Sequence, residues 1–170
     1  MKKSLLIFSL IIVSAFGYSQ SPITLSLQQD ARLLLVGDQS GNDPLTANLM
    51  AKVEIPIFKF KKNHLAIYPS AEYADLIGGK FERYALGIAY SVKSLYGKIG
   101  AVAFLDLGNI YRQSQEFSSF SLSGELNFKL NNSIQFICTQ QLTQRKDLKA
   151  LYDSQNEYVI SGFIGLKFSL

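Results

Sequence analysis

Apolar and polar residues alternate with a period of two along eight stretches of this 170-residue chain. Beyond its N-terminal segment, no apolar run reaches the roughly 18 residues that a membrane-spanning helix needs. Successive side chains of a strand point to opposite faces, so the period predicts strands with one apolar and one polar face. The stretches cover approximately residues 23–36, 47–59, 65–74, 82–92, 98–107, 119–130, 133–143 and 157–170. The second is the clearest. Ala47, Leu49, Ala51, Val53, Ile55 and Ile57 share one face, and Asn48, Met50, Lys52 and Glu54 the other. The last sets Tyr158, Ile160, Ile164, Leu166, Phe168 and Leu170 against Glu157, Ser161, Lys167 and Ser169. A chain that is 48 % hydrophobic but nowhere continuously so is what alternating lipid-facing and lumen-facing positions produce, and tilted strands of about 10 residues suffice to cross a bilayer.

The N-terminus reads as a targeting segment. Lys2 and Lys3 precede an apolar stretch over 5–16, and Gly17 and Ser19 supply small residues for a cut before Gln20. The expected organisation is a signal peptide at 1–19 and one barrel domain at 20–170. An uncleaved anchor is the alternative, disfavoured because the stretch is short for a span. No cysteine follows the cut closely enough for a lipid anchor. Without Lys2 and Lys3, 15 of the 17 lysines and arginines remain against 13 acidic residues. That balance, with no basic run, gives no sign of nucleic-acid binding. Cys138 is the only cysteine, so no intramolecular disulfide forms, and it reads as a small apolar residue on a strand face.

The connections sort by length. Those near 61–64, 93–97 and 131–132 are short. Those over 37–44, 108–118 and 144–156 are longer and polar, whereas 75–81 is a compact link containing Gly78 and Gly79. Short inner turns and mostly longer outer loops are expected of a barrel with both termini on the periplasmic side. The fold class is therefore all-β: an eight-stranded antiparallel up-and-down transmembrane β-barrel after a cleaved signal peptide.

The chain resembles the small outer-membrane barrels formed by the membrane domain of outer-membrane protein A and its short relatives. The resemblance covers 20–170. Its most specific part is the final strand, YVISGFIGLKFSL, similar to the C-terminal signal read by the barrel-assembly machinery. That signal usually closes on Phe or Trp; this chain ends in Leu170 with Phe168 two positions earlier. The resemblance implies residence in the outer membrane among lipid and lipopolysaccharide, and insertion by the assembly machinery. The expected state is a monomer, with no nucleic-acid partner.

Alternation alone does not say which face points inward. The membrane sense follows from the leader, the loop lengths and the final strand. With no Trp in the chain, Tyr73, Tyr84, Tyr90, Phe58, Phe60, Phe120 and Phe128 are the candidates for interfacial aromatics. In that sense Asp30, Lys52, Glu72, Arg83 and Asp106 point inward. Centring each hairpin on its connection places them side by side with alternating sign. Opposite charges facing across strands favour each other, and buried charges persist only when paired. The expectation is a lumen charge network that plugs the barrel, with independent hydrated side chains as the alternative.

No catalytic constellation stands out. Small outer-membrane barrels that modify lipid A would need a histidine at the outer rim beside a serine or acid. The single histidine, His64, falls at an inner turn. His64 and Cys138 make no zinc site, and the outer acidic residues Asp38, Asp43, Glu116, Asp147 and Asp153 are interspersed with bases. No cofactor or metal is expected. The stretch 145–152 (RKDLKALY) suggests a helical turn in the last outer loop, its bases suited to anionic lipopolysaccharide groups. The reading is a non-enzymatic integral outer-membrane barrel with a surface-interaction or envelope-structural role. A soluble periplasmic barrel binding a small apolar ligand and a narrow outer-membrane channel remain open alternatives; a lipid-modifying enzyme is least favoured.

Overall fold

In the computed structural model the alternating segments close on themselves. The structure describes residues 22–38, 41–61 and 63–170, without the side chain of Lys93. The expected signal peptide at 1–19 lies outside the described residues. In chain order the elements are β1 (Thr24–Asp30), α1 (Ala31–Leu35), β2 (Asn48–Phe60), β3 (Asn63–Leu76), β4 (Gly79–Tyr96), β5 (Ile99–Arg112), β6 (Gln115–Lys129), β7 (Ile134–Gln144), α2 (Lys146–Tyr152) and β8 (Tyr158–Ser169). Each strand pairs antiparallel with the next, and β8 returns to β1, Thr24 opposite Ser169 and Asp30 opposite Phe163. Closure leaves no unpaired sheet edge.

The faces are assigned unambiguously. Leu27, Leu49, Leu86, Leu107, Leu122 and Ile160 point outward, each at least 50 % exposed. Ser26, Gln28, Lys52, Glu54, Glu125 and Lys167 point inward and are almost fully covered. A water-soluble barrel buries its apolar face, whereas one in lipid inverts that order. Tyr73, Tyr84 and Tyr111 stand exposed toward one end of this apolar band, and Phe58, Phe60 and Phe128 toward the other. We call the end where β1 begins and β8 finishes proximal, and the opposite end distal.

Three connections differ from the sequence expectation. The first strand stops at Asp30, and Ala31–Leu35 winds into α1, capped by Asp30 Oδ1 accepting from Leu33 N at 2.9 Å. An Asp at the N-cap followed by ARLLL, which lacks alternation, favours helix over a longer strand. The expected loop at 108–118 is instead a two-residue turn at Gln113 and Ser114, with Arg112 opposite Gln115. Gly108 resembles a loop start in sequence, but a Cβ there would lie 2.3 Å from Tyr84 O and 2.5 Å from Ala85 Cβ; the glycine serves close strand approach. Likewise β3 and β4 run on to a turn at Ile77 and Gly78. The two long connections, 31–47 and 145–157, both lie at the distal end, where α2 occupies the stretch read as a helical turn.

Candidate functional site

The lumen is arranged in layers, beginning with a group of four opposite charges. Lys52 Nζ on β2 lies 2.8 Å from Glu125 Oε2 on β6, and Lys167 on β8 bonds the other oxygen of Glu125. Lys167 Nζ also lies 2.6 Å from Glu54 Oε1. Thr139 Oγ1 donates to Glu125 Oε2 at 3.0 Å, so that carboxylate has three side-chain partners. Lys52 Nζ additionally sits 3.9 Å above the Phe104 ring centroid. Two ammonium groups and two carboxylates make a neutral set, the condition under which buried charge is tolerated.

A second group spans β3, β4 and β5. Tyr68, Gly87 and Asp106 are direct neighbours across the two ladders. Tyr68 Oη donates to Asp106 Oδ2, while Arg83 Nη2 bonds Oδ1 and Arg83 Nε donates to Ser119 Oγ at 2.7 Å. Gly87 makes the reach possible. A Cβ there would fall 2.6 Å from Asp106 Cβ and 2.7 Å from the Tyr68 ring. The edge of Tyr68 packs on Phe104 with centroids 5.0 Å apart, joining the second group to the first.

A third group closes toward the distal connections. Asp147 on α2 is completely buried and takes two hydrogen bonds from Arg145, Nε and Nη2, each 2.8 Å. Arg112 Nη1 from β5 reaches the same carboxylate at 3.4 Å. Burial alone would raise the Asp147 carboxyl, but the bonds and charges of Arg145 and Arg112 outweigh it and hold it below the usual carboxylate range. The Arg112 guanidinium stacks 4.6 Å from the Tyr152 ring and Arg145 lies 4.1 Å from that of Phe81. Tyr152 Oη in turn donates to Gly78 O in the β3–β4 turn. The last connection is thereby fastened to two neighbouring hairpins.

Two cavities flank these layers. One of about 500 Å³ lies beneath the distal connections, against Asp30, Asn48, Arg112, Arg145, Tyr152 and Ser161. Another of about 260 Å³ opens at the proximal end, against Glu54, His64, Ser91, Asn127 and Lys167. His64 is thus at the proximal end, remote from the distal connections.

The five residues read from the sequence as a lumen network all face inward and are buried. Their neighbours differ from the side-by-side belt. Glu72 does oppose Arg83, and Arg83 and Asp106 form an ion pair, made diagonally because Arg83 itself opposes Ile110. Lys52, however, opposes Ser26 and Ser70, and reaches across the lumen to Glu125. Asp30 caps α1. Hairpin register follows the turn and its bulges, not the middle of the connection. Here a bulge at Pro56/Phe58, an irregularity at Val92/Tyr96 and the winding of α1 shift three ladders. Glu54, Glu125 and Lys167 were missed as members of the network, as were Tyr68, Arg112 and Asp147. Extending the inward-facing census to β6, where Ser121, Ser123 and Glu125 share a face, would have found the central carboxylate.

Neither a family model nor any curated protein matches the chain. The solved backbone structure of the Yersinia pestis outer membrane protein Ail, in a phospholipid bilayer nanodisc, is similar to it in fold: TM-score 0.56 at 12 % identity, covering 89 % of this chain and 100 % of that one. The chain is a small eight-stranded outer-membrane-type barrel. At that identity the likeness concerns architecture alone. The charge groups belong to this outer-membrane-type barrel's own lumen and are established by its side chains.

Proposed function

We propose that this protein is exported to the outer membrane and works there as a non-enzymatic barrel, its lumen plugged by paired charges and its distal connections facing outward. Glu125 carries this reading: a fully covered carboxylate held by Lys52 and Lys167, whose charge group closes the inner side of the proximal cavity and separates it from the distal one. An eight-stranded interior is just wide enough for side chains to fill. Surface interaction or envelope maintenance then falls to the distal connections, the last of which the Arg112–Asp147–Arg145 cluster fastens to the neighbouring strands. The belt contacts lipid and lipopolysaccharide, and the final strand serves as the assembly signal. The α2 bases are largely engaged within the chain, Arg145 with Asp147 and Lys149 with Glu157, which reduces their availability to anionic lipid groups.

Conductance across a planar lipid bilayer tests the plug. The wild-type chain is expected to give no steady current, and Glu125→Ala to give frequent openings. A steady wild-type current would instead establish the narrow-channel reading.

A further inference from the structure

The outer wall formed by β6, β7 and β8 carries an amide where lipid contact requires none. Gln140 points outward from the middle of β7 and is exposed. Its neighbours on the same face are Leu142, Cys138, Leu122, Leu126, Ile160 and Ile164. On β6 the paired position, Gly124, lies midway along the outward run from Phe120 to Phe128, so the amide sits at mid-height of the apolar belt. It makes no side-chain hydrogen bond to any described residue. Surrounded by acyl chains, it is as far from water as a core side chain, and an unpaired amide there is strongly unfavourable.

The surface beside it is shaped for approach. Gln140 pairs in register with Gly124 on one side and Gly162 on the other. A Cβ at either glycine would meet nothing within 4 Å, so a shallow notch lies on each side of the amide. Small residues let backbones of membrane segments come close, and polar side chains between them act as the adhesive. A primary amide both donates and accepts. Two identical amides facing across a twofold axis therefore close a reciprocal pair. Copies inserted in the same direction are related by an axis along the bilayer normal, which keeps each Gln140 at the same height as its counterpart.

We infer that the β6–β8 wall is a self-association surface, on which two copies dock through paired Gln140 amides with Gly124 and Gly162 admitting the close approach. The inference rests on the membrane reading above and departs from the monomer expected from sequence. A second copy is the occupant because it supplies the complementary amide at the required depth, where acyl chains supply no hydrogen bond.

Cys138, exposed on the same face one outward position away, provides the probe. The full chain is refolded in phosphatidylcholine vesicles at high lipid-to-protein ratio and treated with a short bis-maleimide. Folding is followed in parallel by the gel shift on boiling. The wild type is expected to cross-link as a dimer. Gln140→Leu is expected to lower the dimer yield about threefold to tenfold, and Gly124→Leu, which fills a notch, to do the same, both retaining the boiling shift. A folded wild type that stays monomeric overturns the inference, as do variants that cross-link like the wild type or a yield that falls in proportion to lipid dilution. A wild type with no boiling shift overturns the membrane reading itself.

Discussion

Two buried carboxylates, Glu125 and Asp147, each hold two cations in place. Replacing Glu125 with Gln leaves Lys52 and Lys167 buried against the single remaining charge of Glu54. Removing one partner from a buried ionic group costs about 3–5 kcal/mol, so urea titration in lipid vesicles is expected to show a correspondingly lower midpoint for Glu125→Gln. An unchanged midpoint would mean that the lysines are hydrated. Asp147 acts on the distal connection instead. Its folded pKa is depressed, so its contribution is present above the ordinary carboxylate value of about 4 and lost as pH falls through the lower folded value. Amide exchange of α2 is expected to stay slow at neutral pH and to accelerate only under acid conditions below that range. In Asp147→Asn it should be fast at both.

The strands impose these contacts, and the hairpins impose the register. Gly87 sits between Tyr68 and Asp106, and Gly87→Val would drive a side chain into both. That variant is expected to lose the Tyr68–Asp106 bond and about 1–3 kcal/mol by overpacking, read as a lower urea midpoint. The β5–β6 turn offers the opposite test. Gln113 and Ser114 both have positive φ, 49° and 61°, the requirement of a primed hairpin turn that Asn-Gly meets with less strain. Gln113→Asn with Ser114→Gly is expected to add about 0.5–1 kcal/mol of stability, read as a higher urea midpoint, and a loss would rule out that turn geometry. The strands themselves were legible in sequence because alternation reports directly on the two faces, as along Ala47 to Ile57. Their ends were not. Gly108 carries the local signature of a turn but is there for a neighbouring backbone, and Asp30 looks like a lumen charge but caps a helix. The lumen partners were obscured for a related reason. Lys52 and Glu125 are 73 positions apart, and only barrel closure brings them together.

At the scale of the whole molecule, the buried interior carries the charged and polar groups together with small apolar clusters, while the outward face is predominantly apolar, a distribution that a lipid surrounding rewards. The neutral Lys52–Glu54–Glu125–Lys167 set, the Tyr68–Arg83–Asp106 group and the Asp147 cluster succeed one another along the axis, and the long connections cap one end. The proposed plug and the proposed role of the distal connections both depend on the chain being folded in a membrane. The most direct measurement is the migration of the outer-membrane fraction on detergent gels with and without boiling. A membrane barrel is expected in that fraction and to change its migration on boiling, because the closed, hydrogen-bonded sheet resists detergent until heated. Recovery in the soluble periplasmic fraction with no boiling-dependent shift would contradict the inverted faces and with them the plug.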